Sequence, residues 1–180
     1  DALKKSDYDP KGKFCFERFI SAHSIMISFE GVPAIYFNSL FGTSNDKAKF
    51  IITGNNRDLN RYRWNRKNLT EKLKIFKSKQ SHFYRSITNL LKIKRKQKAF
   101  HPNGLRSNIN MGPKIFCFKR TSLDKKQSII SITNLSSKSQ YPKLNKKYSS
   151  WKNLIDPSVR SNKQTKIELK PFETKWLSSI

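Results

Sequence analysis

The sequence is short of several things at once. Its 180 residues hold six glycines, two cysteines and three histidines, and 12 acidic residues stand against 38 basic ones. Each shortage excludes something. Cys15 and Cys117 sit in the Phe-flanked stretches KFCFER and KIFCFKR, the setting of buried structural thiols, and no CxxC or Cys/His spacing accompanies them. A zinc or iron–sulfur centre is therefore not expected, no other cofactor is implied, and the compartment expected is the reducing cytoplasm. The sparse glycines form no GxGxxG, no phosphate-binding P-loop and no GxSxG. No apolar run approaches the ~20 residues of a membrane span. The opening DALKKSDYDPKGK has neither an initiator Met nor the apolar centre of a signal peptide.

The scarce groups are also scattered. His23, His82 and His101 have no acid or nucleophile at motif spacing. His23 falls within an apolar stretch, where a packed, hydrogen-bonded imidazole is the ordinary reading. Among the acids, Glu17 suits a helix surface and Glu30 precedes an apolar run. Asp46 and Asp58 lie after that run, on the side where α/β folds carry their chemistry.

What is abundant is apolar and basic. Hydrophobic residues make up 36% of the chain, with 13 Phe and 3 Trp, enough to build a core. The net charge of +26 has two readings. It fits a nucleic-acid-binding module, or it is compositional, since the chain is rich in Lys, Asn and Ile together. The densest cluster, KIKRKQK (92–98), falls on the polar side of an amphipathic helix, where a solvated helix end explains it. No zinc-finger, helix-turn-helix, KH or RNA-recognition signature supports the nucleic-acid alternative.

Periodicity divides the chain. Residues 14–29 have helical spacing and read as a mostly buried helix, entered through the Asp9–Pro10 turn. VPAIYF (32–37) reads as a short strand buried on both faces, as in parallel sheets. From 38 to about 67 the pattern lapses into a long loop with room for short helical turns. Helices follow at 67–76 and about 80–97. After HPNG (101–104) the period changes to two, with strands expected at 114–121, 128–135, 165–172 and 174–180. The fold class is thus α/β followed by an all-β module.

Within the long loop, ITGNNRDLNRYRWN (52–65) is either a basic strip for phosphates or a loop aiming one or two arginines at a polar pocket. Here a resemblance bears on the choice. The segments AHSIMISFEGVPAIYFNSLFGTSND (22–46), TGNNRDLNRYRW (53–64) and LLKIKRKQKAFHPNG (90–104) resemble, in order and spacing, the sucrose-phosphorylase-like branch of glycoside hydrolase family 13, the α-amylase family. The AFHP step is similar to relatives acting on glucosylglycerate, glucosylglycerol or sucrose phosphate.

The resemblance implies the last βα unit of a (β/α)8 barrel over residues 1–99 (helix 7, strand 8, long loop, helix 8) and an antiparallel β-sandwich, domain C, over 100–180. It implies a retaining glucosyl transfer to phosphate through an Asp nucleophile, a Glu acid/base and a second Asp. All three carboxylates are expected upstream of this sequence, so that the chain alone is expected to be inactive, with the missing barrel portion as its partner. No membrane partner is implied, and the nucleic-acid reading recedes. Among the residues present, Arg57 is implied to hold the 4-hydroxyl side of the glucosyl unit, with Arg61 and Asp58 as secondary candidates. Arg61 is expected to pair with Asp58 or Asp46. Asn56 replaces the family's Gly before that arginine and is expected to keep the turn by adopting a left-handed conformation.

Overall fold

The structure is a computed structural model that describes residues 3–7, 9–158 and 166–179. The described chain forms two compact units. One comprises residues 34–89, and the other residues 3–33 and 90 onward.

The second unit contains the sheet. Helix α1 (Cys15–Ser28) is anchored at its start by Asp9, whose carboxylate accepts the Lys13 and Phe14 N–H groups at 2.9 and 2.8 Å. Such a side chain supplies partners for N–H groups that a helix start leaves open. The same carboxylate holds Arg18 at 2.8 Å with both side chains nearly sealed from solvent. The expected turn and helix are both present, but the burial is not the expected one. The buried stripe of α1 is Arg18, Ser21, Ser24, Ile27 and Ser28, while Phe16, Phe19, Ile20 and Met26 are only half-buried. Small serines allow the backbone to approach its neighbours closely, and their hydroxyls are satisfied inside the helix: Ser24 donates to the Ile20 carbonyl at 2.8 Å and Ser28 to that of Ser24 at 2.7 Å.

The sheet is antiparallel throughout, with strand order β1 (Leu105–Asn108), β2 (Ile115–Thr121), β3 (Ser128–Asn134), β5 (Thr174–Ser178), β4 (Lys152–Asn153). β2 and β3 pair from Ile115 opposite Asn134 to Thr121 opposite Ser128. Because alternate residues face opposite sides, this register sends Ile115, Cys117, Ile130, Ile132 and Leu177 into one cluster with Leu144 and Leu169. Phe118, Ser131 and Trp176 take the other side, where the Ser131 and Ser28 hydroxyls meet at 3.2 Å and Trp176 meets Phe100 edge-on at 4.9 Å. Both faces are covered, so β3 from Ile129 onward and all of β5 are buried without alternation.

The strands expected at 114–121 and 128–135 form almost as read, and that at 174–180 forms over 174–178, with Ile180 outside the described residues. The one expected at 165–172 does not form. Thr165 lies outside the described residues, and the remainder is joined by two isolated bridges, Lys143–Lys166 and Gln140–Leu169. β1 and β4 carry no apolar alternation and were not expected.

The first unit is helical: α2 (Phe37–Leu40), α3 (Lys47–Thr53), α4 (Asn56–Leu59), α5 (Arg66–Lys74) and the beginning of α6 (Lys79–Arg95), which belongs to this unit up to Asn89. Its buried apolar residues are Phe41, Leu69, Phe83 and Ile87. Phe41 stacks on Tyr84 at 5.7 Å. Gly42 has φ +56, and a Cβ there would stand 2.6 Å from the Phe83 ring, so this position requires glycine twice over.

The doubly buried strand expected at 32–37 is not observed. Residues 32–36 pair with nothing among the described residues, and the chain turns into α2 at Phe37. Val32 is 83% exposed, and Tyr36 and Phe37 are exposed as well. The physical reason is that a strand is made by its neighbours. An apolar, β-branched run supplies the side chains for a sheet interior but cannot supply the ladders on either edge.

Candidate functional site

The loop sequence that drew attention is held in shape by short-range bonds, all within the first unit. Asn38 is buried, and its amide donates to the carbonyls of Tyr62 at 3.0 Å and Asn60 at 3.4 Å. The Tyr36 hydroxyl donates to the same Asn60 carbonyl at 3.2 Å. Asp46 N–H donates to the Leu59 carbonyl at 2.7 Å, and the Trp64 indole N–H to the Thr43 hydroxyl at 3.0 Å. Segments 36–46 and 59–64 are thereby strapped side by side. The Asn38 Oδ1 is left buried without a partner among the described residues, a cost that the two amide donations offset.

Between the straps lie the two short helices. Asp46 caps α3 by accepting the Lys49 N–H at 3.0 Å, and Gly54 ends it with φ +64. Asn55 caps α4 by accepting the Arg57 N–H at 3.0 Å. The left-handed residue of the turn is therefore Gly54, and Asn56 is the first residue of α4, which corrects the conformation expected for Asn56. Two residues of lead-in separate that glycine from Arg57.

Arg57 stands fully on the surface, its guanidinium without a hydrogen-bonded partner among the described residues. Arg61 is also exposed, and the pairing expected for it does not form. Asp58 instead binds Lys49 at 2.7 Å, and Asp46 is spent as the cap of α3. The bond from Lys49, assisted by Thr53, holds the Asp58 carboxyl below the usual carboxylate range. Lys49 lies three residues after Asp46 in the helix that Asp46 caps, so one helix engages both loop acids. Arg57 and Arg61 are left presenting their donors outward.

The straps also enclose an open groove of ≈ 340 Å³. Its walls include Asn45, Asp46, Lys47, Tyr62, Trp64 and Lys79. Arg57 and Arg61 do not line it. Tyr62 and Trp64 meet edge to face at 5.0 Å and 72°, which fixes the indole from a second direction.

The second unit has a polar centre of another kind, at the C-terminal end of α1. Arg120 is fully buried and donates to the carbonyls of Ser28 at 2.8 Å, His101 at 2.6 Å and Gly104 at 3.2 Å. Lys94 donates to the Ile27 carbonyl at 2.8 Å and the Phe100 carbonyl at 3.2 Å. Two cations thus satisfy the carbonyls a helix end leaves open and complement its dipole. Burial, with a smaller push from Arg120, brings the Lys94 amine down to about 8. Arg106 grips both oxygens of Glu30 at 2.8 Å, fixing the second residue after the helix. KIKRKQK accordingly contributes one structural cation, Lys94, while Lys92, Arg95, Lys96 and Lys98 remain on the surface.

The other groups singled out have structural partners. His23 bonds the Phe19 carbonyl at 2.8 Å and stacks on the Phe19 ring, and burial lowers its basicity. His101 accepts the Asn103 N–H at 3.2 Å. Both cysteines are free thiols; burial raises Cys117 to about 12, whereas Cys15 is only half-buried, short of the expected full burial. Among the described residues no group of three His, Cys, Asp or Glu side chains is placed to hold a metal ion, and no helix is long and apolar enough to cross a membrane.

No family model matches the chain. It is 28% identical over 178 residues to the glucosylglycerate phosphorylase of Escherichia coli, a match covering 98% of this chain and 30% of that protein. It is 34% identical over 103 residues to the glucosylglycerate phosphorylase of Allomeiothermus silvanus, covering 57% and 19%. Among solved structures, the trehalulose synthase MutB of Pseudomonas mesoacidophila superposes with TM-score 0.66 at 13% identity, covering 90% of this chain and 38% of that one. AmyP, solved with maltotriose, superposes with TM-score 0.65 at 16% identity, covering 94% and 36%.

The fold is that of the C-terminal part of α-amylase-type enzymes, helices followed by an antiparallel β domain. In sequence the chain is similar to glucosylglycerate phosphorylases, and in fold to the solved trehalulose synthase and AmyP structures. It spans about a fifth to a third of the length of the curated relatives it matches.

Proposed function

We propose that the chain serves a retaining α-glucoside phosphorylase that moves a glucosyl unit from sucrose or a related glucoside to phosphate. Glucosylglycerate is the glucoside named in its relatives. In this reading residues 1–99 complete a (β/α)8 barrel and residues 100–180 form its domain C. The observation that carries the reading is the match to a glucosylglycerate phosphorylase along 98% of the chain.

Arg57 binds the glucosyl unit. A guanidinium presents a planar fork of donors, suited to sugar hydroxyls and to an adjacent carboxylate. The structure leaves that fork uncommitted among the described residues, raised on a capped turn. Arg61 stands one turn further on as a second donor, and Asp58, held by Lys49, stiffens the turn beneath both. The Asp/Glu/Asp set that the double displacement requires is supplied by the barrel portion with which this chain works. The unpaired segment 32–36 is where that portion joins. The cysteines, both free thiols, suit a cytoplasmic setting.

Co-expression of the chain with the remaining barrel portion of a relative tests this. Phosphate-dependent release of glucose 1-phosphate is expected from the reconstituted pair and from neither half alone. Arg57→Ala is expected to lower kcat/KM by about 100-fold, the scale of losing a charged contact to a bound hydroxyl. Activity unchanged by Arg57→Ala would remove the arginine from the site, and hydrolysis with no phosphate dependence would remove the phosphorylase assignment.

A further inference from the structure

We propose that the outer surface of the β domain, over segments 140–151 and 166–170, binds single-stranded nucleic acid without sequence preference. This activity is independent of the one proposed above. Net charge by itself favours no surface, but the placement of the lysines does.

The sheet face that carries Cys117, Ile130, Ile132 and Leu177 is closed by these two segments, which are joined at the Gln140–Leu169 and Lys143–Lys166 bridges. Leu144 and Leu169 enter the cluster beneath, and Tyr148, Trp151 and Ile167 pack against it. Lys143, Lys146, Lys147, Lys166 and Lys170 are left exposed above it. Lys143 and Lys166 are direct partners across an antiparallel bridge, so their side chains leave on the same side. Like charges set opposite one another repel, and a bound anion relieves that repulsion.

The acids nearby do not supply the anion. Glu168 accepts the Tyr141 hydroxyl at 3.5 Å. Glu173 accepts the Lys170 N–H at 2.7 Å and pairs with Lys175 at 3.6 Å, and Asp156 accepts the Ser158 N–H at 3.1 Å. None of the five exposed lysines forms an ion pair among the described residues.

Aromatic rings decide which polyanion fits. Tyr141 is 54% exposed, with the Lys166 ammonium 5.5 Å from its ring centroid. Lys147 lies 4.9 Å from the Tyr148 ring, which meets Trp151 edge-on at 4.7 Å. An open ring among ammonium groups takes a base on its face and phosphates beside it, and any base will serve. An acidic peptide would use the lysines and leave the ring idle. An anionic bilayer asks for apolar side chains to insert, whereas Leu144 and Leu169 point inward.

The test uses the full chain and a fluorescently labelled oligothymidylate of about 16 nucleotides, with anisotropy followed across salt concentration. A log–log salt slope of about −3 is expected, from about four phosphates at ~0.7 each. The double variant Lys143→Gln/Lys166→Gln is expected to weaken binding about tenfold and to flatten the slope by about 1.4. Tyr141→Ala is expected to weaken binding about tenfold with the slope unchanged. Lys92→Gln/Lys96→Gln removes the same charge from the end of α6 and is expected to change neither affinity nor slope. Poly-glutamate is expected to compete poorly, and all the variants to keep the unfolding midpoint. Equal losses from the two lysine pairs would mean that net charge alone binds, and would overturn the proposal. An unaffected Tyr141→Ala, or poly-glutamate binding as tightly as the oligothymidylate, would overturn it in favour of an acidic protein partner. No binding at low salt would remove the surface altogether.

Discussion

The two units solve the same problem with unequal means. In the second, apolar side chains from both faces of one sheet are sealed: Ile129, Ile130, Ile132, Phe118, Leu169 and Trp176 are all without solvent contact. In the first, four apolar residues are buried, while Ile51 and Ile52 are 80% and 83% exposed and Phe37, Ile75 and Phe76 also face solvent. The first unit compensates with polar straps and helix caps. Hydrophobic burial contributes roughly 25 cal/mol per Å², whereas a cap or hydrogen bond contributes ~1 kcal/mol. The first unit should therefore open at lower free energy than the second, and the residues that would present to sugars lie in it. A binding loop drawn from the low-stability end of a molecule is a general pattern.

The largest effect expected is in the sheet. Trp176→Ala removes the largest fully buried side chain and its edge-on contact with Phe100, and is expected to destabilise the second unit by ~3–5 kcal/mol. Amide hydrogen exchange should show the loss across β2, β3 and β5. Trp176→Phe should cost much less, because the indole N–H of Trp176 has no partner to lose among the described residues. If exchange in residues 34–89 rose as steeply as in the sheet, the two units would not be energetically separate.

Gly42→Ala tests the first unit by the same measure. The new methyl meets Phe83 at 2.6 Å from a backbone with positive φ, so strain and displaced packing act together. A loss of ~2–3 kcal/mol is expected in residues 34–89, near the whole of what a sparsely packed unit has to spare. A loss below ~1 kcal/mol would mean that Phe83 has somewhere to go and that the packing there is looser than its burial implies.

These two sites also show what the sequence could and could not disclose. β2, β3 and β5 were legible because short runs of apolar, β-branched and aromatic residues stand between polar turn segments, even where both faces of the strand are covered. Arg120 was legible in principle, since it occupies the same inward register as Phe118, but an arginine in IFCFKRT reads as a solvent residue until three carbonyls are seen around it. The strand expected at 32–37 shows the limit from the other side: its residues were read for what they favour, and strand formation depends on neighbours that the described residues lack. In the loop, Arg57 was marked by its motif. The groove at Tyr62 and Trp64 was not, because Thr43, Asn45 and Gln80 are ordinary polar residues whose convergence depends on the straps from Asn38 and Asp46.

The Lys94 amine provides a comparison by pH. Its value falls from 10.5 unfolded to about 8 folded, through burial first and Arg120 second. Between those values the unfolded chain binds more protons, so this group makes stability rise as pH increases from about 8 to about 10.5, and below 8 its cost is fully present. Lys94→Met is expected to flatten that rise in urea midpoints measured across the interval. The helix carbonyls it leaves behind keep the variant from gaining the full benefit. A slope that persists in Lys94→Met would assign the pH dependence elsewhere.

The smallest effect is the most informative about the exposed apolar residues. Ile52→Ser replaces a side chain that is 83% exposed, so its cost to the stability of the chain is expected to stay within ~0.5 kcal/mol. If the exposed side chains of residues 34–89 are surface left open by an absent barrel, the same change should lower self-association in sedimentation velocity at high protein concentration. It should also weaken recovery of phosphorolysis with the barrel portion. A substitution neutral for folding and costly for assembly would show that the bareness of the first unit is an interface. If it is neutral in both, the thinness of that unit belongs to the loop itself, and polar straps alone hold Arg57 in place.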